Sequence, residues 1–294
     1  MTRWFGLGWL LASLSLATTA GLDAHAQTVV RVPVSLAPDK PPLQLSATLY
    51  RPAVAAEVRS PAVALFHGCG GVGQNIQRMA GILQSRGYVA LVVDSFGARG
   101  IRDACTTGWP TQAQAVERAR DVAQSAGWLA ARPFVGHVGV VGYSYGGGAA
   151  LMNALSNLTE AQLSAALLKQ RPWYPTIAVY PDCALMDAAG PDIWPWRPLF
   201  VAMAELDDWT PVRQCEAMLK RVTRGRELIE TKVYPGAHHS FDAVGLPVRY
   251  LAAAGNRSKP NNCCGAHYGH DPQAWARFQA DTLDFFARTL GGRR

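Results

Sequence analysis

The chain has 294 residues, of which 49% are hydrophobic and 17% charged. This is enough apolar side chain for a sizeable core and too much for a disordered chain. The 28 Lys and Arg against 21 Asp and Glu leave a net charge of +7. The basic residues are scattered rather than clustered, which argues against nucleic-acid binding and makes the charge a solubility term.

At the N-terminus Arg3 precedes an apolar, small-residue run over 5–22, and Ala24-His25-Ala26 fits an A-x-A cleavage site. The pattern predicts a secretory signal peptide over 1–26, cut before Gln27. The alternative is a membrane anchor, but the run is borderline in length, carries Gly, Ser and Thr, and has no stop-transfer flank. The first cysteine is Cys69, so no lipid-modified cysteine sits at the cut. The expected product is residues 27–294, periplasmic or secreted, with no stable membrane anchor.

Beyond Gln27, strands alternate with helices. Residues 28–36 and 43–50 read as two alternating strands joined by a Pro-rich turn, plausible as an antiparallel pair. A short apolar strand over 62–66 ends in His67-Gly-Cys-Gly-Gly71, a helix spans 74–85, and an unbroken apolar strand over 88–93 closes at Asp94. An amphipathic helix over 111–131 leads to a strand over 137–143 and a small-residue helix over 145–155. Strands over 176–180 and 199–204, a helix over 211–223, a strand over 228–234 and a final helix over 271–290 complete the pattern. Unbroken apolar strands separated by helices predict a single α/β domain, its mostly parallel central sheet covered by helices on both faces. Residues 156–175 and 242–270 lack sheet character and are candidate cap or rim elements.

In an exported chain the even set of Cys69, Cys105, Cys183, Cys215, Cys263 and Cys264 predicts disulfides. The adjacent Cys263 and Cys264 are expected to seek other partners, because bonding to each other closes a small, strained ring. No C-x-x-C pair or His cluster has zinc-site spacing, so no metal is expected, and no cofactor.

Gly142-Tyr143-Ser144-Tyr145-Gly146 matches G-x-S-x-G between a strand and a helix. In that context the sharp turn exposes the Ser144 hydroxyl, and the flanking glycines relieve the crowding. A serine hydroxyl needs a base, which in this fold follows it in the chain after an acid. His239, in the loop beyond the strand ending at Tyr234, is the candidate base, with His238 as rival. Asp207 or Asp208, after the strand over 199–204, is the acid; the other is free to cap the next helix. Tyr145 follows the nucleophile and supplies one oxyanion N–H, and the glycine-rich loop supplies another from Cys69. Cys69 has two rival readings, a catalytic thiol or a disulfide partner. Trp173, Trp194, Trp196 and Trp209 are candidate pocket residues, Trp209 foremost.

Taken together, His67-Gly-Cys-Gly-Gly71, Asp94-Ser-Phe-Gly-Ala-Arg-Gly100, Gly142-Tyr-Ser-Tyr-Gly-Gly147, Tyr180-Pro-Asp-Cys183, Asp207-Asp-Trp-Thr-Pro211 and His239-Ser-Phe-Asp242 resemble the dienelactone hydrolase family of α/β-hydrolases, over about 61–290. The resemblance implies Ser144 as nucleophile, Asp207 rather than Asp208 as acid and His239 rather than His238 as base. It also implies Cys69 and Tyr145 as oxyanion donors and a Cys183–Cys215 disulfide. Two departures stand out. The family's namesake enzymes carry cysteine where this chain has Ser144 and are not exported. Their carboxylate-binding arginine pair is matched here only by Arg99, near one slot, with Ala243 in the other. Loss of a bidentate charged contact argues for neutral carboxylic esters or lactones over dienelactone. The rival readings are a peptidase, a polyester depolymerase, or an exported binding protein without turnover.

Overall fold

The computed structural model describes residues 1–2, 27–36, 40–54, 58–107, 111–155, 174–189 and 192–291. Apart from its first two residues, the predicted signal peptide lies outside the described residues, as do Trp173 and most of the 156–175 segment.

The apolar runs become strands β1 (Gln27–Val34), β2 (Leu43–Tyr50), β3 (Ser60–Phe66), β4 (Val89–Asp94), β5 (Val135–Tyr143), β6 (Thr176–Val179), β7 (Leu199–Ala204) and β8 (Ile229–Tyr234). They form one eight-stranded sheet in the order β1-β2-β4-β3-β5-β6-β7-β8. β1 pairs antiparallel with β2, and β2 antiparallel with β4. From β4 to β8 every neighbouring pair is parallel.

The helices are α1 (Gln74–Ser85), α2 (Gln112–Ala130), α3 (Tyr145–Ala154), α4 (Val212–Leu219) and α5 (Pro272–Leu290). Val63 and Leu65 of β3 join a core with Ile76, Met79 and Leu83 of α1 and Phe278, Phe285 and Phe286 of α5. Their strand neighbours Ala62, Ala64 and Phe66 share a second core with Val122, Ala126 and Leu129 of α2 and Ala149 and Ala150 of α3. Because both faces are covered, the central strands carry no polar alternation. The edge strand β8 is largely exposed and carries Glu230 and Lys232.

Local chemistry sets several boundaries. A reciprocal capping box between Thr111 and Gln114 starts α2. Asp271 accepts from the Ala274 N–H at 2.7 Å to start α5, which carries Pro272 in its first turn and ends on a left-handed Gly291. The helix predicted over 211–223 stops at Leu219. The 242–270 segment contains a short antiparallel pair, β9 (Arg249–Leu251) with β10 (Ala266–Tyr268). Three-residue strands are too short to leave a periodic signal.

The disulfides are Cys69–Cys105, Cys183–Cys215 and Cys263–Cys264. The last corrects the expectation that the adjacent cysteines find other partners. The other four sulfurs pair among themselves, and no cysteine among the described residues is left free. No helix among the described residues is long and apolar enough to cross a membrane.

Candidate active site

Ser144 sits on the tight turn from β5 into α3 with φ 53° and ψ −116°. A non-glycine residue holds such a conformation only when its surroundings enforce it. Close packing does so here. A Cβ at Gly142 would strike the Gly146 carbonyl, and one at Gly146 would strike the carbonyls of Phe66 and His67. The turn therefore presses against the end of β3, and the Ser144 hydroxyl projects from the carboxyl edge of the sheet.

His239 and Asp207 reach the same edge from the loops after β8 and β7. Ser144 Oγ lies 2.9 Å from His239 Nε2, and His239 Nδ1 lies 2.8 Å from Asp207 Oδ2. His239 is 2% exposed, Asp207 4% and Ser144 9%. Asp207 Oδ1 accepts from the backbone N–H groups of Trp209 at 2.9 Å and Thr210 at 2.8 Å. With its carboxylate so held, Nδ1–H donates to Asp207 and leaves Nε2 as an acceptor toward the serine. The Thr210 hydroxyl lies within hydrogen-bond reach of both Asp207 Oδ2 and the Tyr180 carbonyl. The Tyr180 ring packs 4.6 Å and the Trp209 ring 4.9 Å from the imidazole, centroid to centroid.

The neighbouring candidates lie elsewhere. Asp208 Oδ2 pairs with His267 Nδ1 at 2.9 Å, and its Oδ1 accepts from the His267 N–H at 2.7 Å. His238 directs Nδ1 to the Leu206 carbonyl at 3.1 Å. Arg99 corrects the expectation of a substrate contact. Its guanidinium meets the buried Asp121 through two bonds of 2.9 and 3.0 Å and does not line the cavity over Ser144. A buried carboxylate opposite claims the cation before any substrate can. Trp209 lines that cavity. Trp194 and Trp196 instead pack against each other, with Arg224 over the Trp194 ring.

The glycine-rich loop is braced from beneath. His67 is buried, with Nδ1 donating to the Gly68 carbonyl at 2.7 Å and Nε2 accepting from the Ser95 N–H at 3.2 Å. Burial, aided by the Arg118 charge, holds its pKa well below the ordinary imidazole value, so it is neutral. Buried Arg118 donates to the His67 carbonyl, and its guanidinium lies 5.0 Å from the Phe96 ring and 5.1 Å from the Tyr145 ring. Cys69 and Tyr145 line one recess beside Ser144. Because Cys69 is bonded to Cys105, it offers no thiol for catalysis.

A second buried cluster was not foreseen. Asp242 Oδ1 accepts from the Tyr180 hydroxyl at 2.7 Å, and Oδ2 accepts from Asn75 Nδ2 at 2.9 Å. Burial raises the Asp242 pKa, against the lowering effect of those two donors. Its only sequence signal was its place three residues after His239.

The family model for the dienelactone hydrolase family matches residues 45–289. No individual curated protein matches. Among solved structures, the chain is similar to a dienelactone hydrolase from Anabaena variabilis at 17% identity and TM-score 0.57, covering 92% of this chain and 99% of that one. A dienelactone hydrolase-like promiscuous phosphotriesterase from metagenomic libraries matches at 15% identity and TM-score 0.60, over 90% and 99%. Esterase 2 from the planctomycete Thermogutta terrifontis matches at 15% identity and TM-score 0.56, over 90% and 92%. At these identities the solved structures speak for the fold, which is that of the α/β-hydrolases.

Proposed function

The chain belongs to the dienelactone hydrolase family, hydrolases acting on ester bonds, and from that premise we propose an exported serine esterase with Ser144 as nucleophile, His239 as base and Asp207 as acid. One observation carries the reading: the unbroken relay from Ser144 Oγ through His239 to Asp207, with links of 2.9 and 2.8 Å. In the first half-reaction His239 Nε2 takes the hydroxyl proton as Oγ bonds to the ester carbonyl carbon. The N–H groups of Cys69 and Tyr145 hold the resulting oxyanion. Collapse breaks the bond to the alcohol, which leaves with the proton from His239. Water, deprotonated by the same nitrogen, then releases the acid and restores the serine.

Neutral esters or lactones suit the cavity, whose lining among the described residues includes no Lys or Arg and one acid, Asp103. Export is supported by the leader pattern over 1–26 and by the pairing of the cysteines, which persists in oxidising compartments. The test is hydrolysis of p-nitrophenyl acetate by the purified protein and by Ser144→Ala. Turnover should vanish in the variant, and equal activity in both would remove Ser144 as nucleophile. N-terminal sequencing of the periplasmic or culture fraction should begin at Gln27.

A further inference from the structure

The two oxyanion donors come from different parts of the fold, Cys69 from the loop after β3 and Tyr145 from the start of α3. One buried side chain grips both segments. Arg118 of α2 is 4% exposed and lines neither the recess beside Ser144 nor the cavity over it. Its Nη2 donates to the His67 carbonyl, its Nη1 lies 3.4 Å from His67 Nε2, and its guanidinium covers the Tyr145 ring at 5.1 Å.

The first arm acts through His67. A guanidinium can only donate, as can the Ser95 N–H that also faces Nε2, at 3.2 Å, so His67 keeps its proton on Nδ1. That proton goes to the Gly68 carbonyl at 2.7 Å. The Gly68–Cys69 peptide is trans and planar, so its carbonyl and its N–H point in opposite directions. Fixing the Gly68 carbonyl therefore fixes the direction of the Cys69 N–H. A Cβ at Gly68 would lie 3.2 Å from Ser144 Cβ, so this peptide runs close against the nucleophile. The second arm is direct, because the cation over the Tyr145 ring holds the first residue of α3. Both arms extend from a fixed point, since Asn153 Nδ2 of α3 donates to the Ala119 carbonyl of α2 at 2.7 Å.

Resting on the oxyanion assignment above, we infer that Arg118 is a positioning residue for ester hydrolysis: its buried guanidinium sets the His67 tautomer and braces Tyr145, and so aims both oxyanion N–H groups without touching substrate. Burial disfavours its charge, and the neighbouring Asp121 carboxylate offsets part of that cost.

The experiment compares wild type with Arg118→Met in p-nitrophenyl acetate kinetics, with Ser144→Ala as control. Rates are expressed per active site, the sites being counted by stoichiometric labelling with a fluorophosphonate. Trifluoroacetophenone is the second probe, because its adduct with Ser144 carries an oxyanion. Misaimed donors should lower kcat by about 10- to 100-fold and raise the inhibitor Ki by a similar factor, while KM stays within about threefold. A merely structural defect would instead lower the number of sites and leave kcat per site and Ki unchanged. Arg118→Lys, which keeps the charge but not the planar fork, should show the same pattern more weakly, and it carries the test should Arg118→Met fail to fold. A kcat per site within about twofold of wild type, or a fall in kcat with Ki unmoved, would overturn the role of Arg118 and leave the triad standing. Wild-type turnover that does not depend on Ser144 would remove the serine-esterase reading and this inference with it.

Discussion

Replacing Asp207 by Asn separates the electronic role of the acid from its packing. Asn is nearly isosteric, and its Oδ1 can keep both bonds now accepted from the Trp209 and Thr210 N–H groups, at 2.9 and 2.8 Å. The other terminus becomes an NH₂ facing His239 Nδ1, where a carboxylate oxygen stood at 2.8 Å. Two donors cannot face each other, so the imidazole adopts the tautomer that accepts at Nδ1 and carries its proton on Nε2. That nitrogen, 2.9 Å from Ser144 Oγ, then donates to the serine and cannot take its proton. The same change in a Ser-His-Asp triad lowers kcat about 10⁴-fold, or about 5.4 kcal/mol of transition-state stabilisation at 1.36 kcal/mol per tenfold. Purified wild type and Asp207→Asn should be compared by p-nitrophenyl acetate kinetics at neutral pH and by thermal unfolding. The expected result is a loss near 10⁴-fold with Tm lowered by no more than about 4 °C, the equivalent of roughly 1 kcal/mol. A loss under about tenfold would refute Asp207 as the orienting acid.

The adjacent residues provide the contrast. Asp208→Ala and His238→Ala should change kcat/KM by less than about threefold, because Asp208 pairs with a partly exposed His267 in an interaction worth about 0–1 kcal/mol; a large loss in either would reopen the choice of triad. Removing the Cys183–Cys215 bridge, whose partners are 32 residues apart, with a Cys183→Ala/Cys215→Ala variant should cost about 3–4 kcal/mol. Calorimetry should then record a Tm lower by roughly 10 °C. Asp182 provides a pH test: burial raises its carboxyl to about 7, with the Arg257 charge offsetting only part of the rise. The folded protein thus holds a proton that the unfolded chain has released, so this group's contribution falls as pH rises from about 4 to 7. Asp182→Asn should flatten the stability profile over that window and raise Tm at pH 8, and denaturant titrations across the range would detect either result.

The sheet was legible because strands covered on both faces read as continuous apolar runs, as Val63, Ala64 and Leu65 illustrate. The turn from β5 into α3 at Ser144 was legible because it demands glycines at fixed offsets. Spacing could not separate Asp207 from Asp208 or His238 from His239. Neighbouring loop residues differ in the direction each side chain takes, and direction follows from partners distant in the chain: the Leu206 carbonyl for His238 and His267 for Asp208. Arg99 misled for the same reason, since Asp121 lies one helix further on with nothing in its local pattern to announce the pairing. The Tyr180–Asp242–Asn75 cluster joins three loop or helix-end positions far apart in sequence, and a single chain carries no periodic trace of such a meeting.

The 242–270 segment, a candidate cap or rim element from its sequence, is hydrogen-bonded at several points to the loops around Ser144. The fully buried Asn256 donates to the Asp208 carbonyl at 2.9 Å and the Gly265 carbonyl at 2.8 Å, while its own Oδ1 accepts from the Ser258 N–H at 2.9 Å. The Gly269 N–H donates to the His239 carbonyl at 2.9 Å, so the residue following β10 is tied to the His239 backbone. Gly255 bridges to Cys105 and Trp209 on the oxyanion side. Opening this segment would expose several buried hydrogen bonds at once and displace His239 along with them, whereas elements that move in function are drawn from the weakly bonded end of a structure. The rim is thus hydrogen-bonded at once to the loops that carry Asp208, His239 and Cys105.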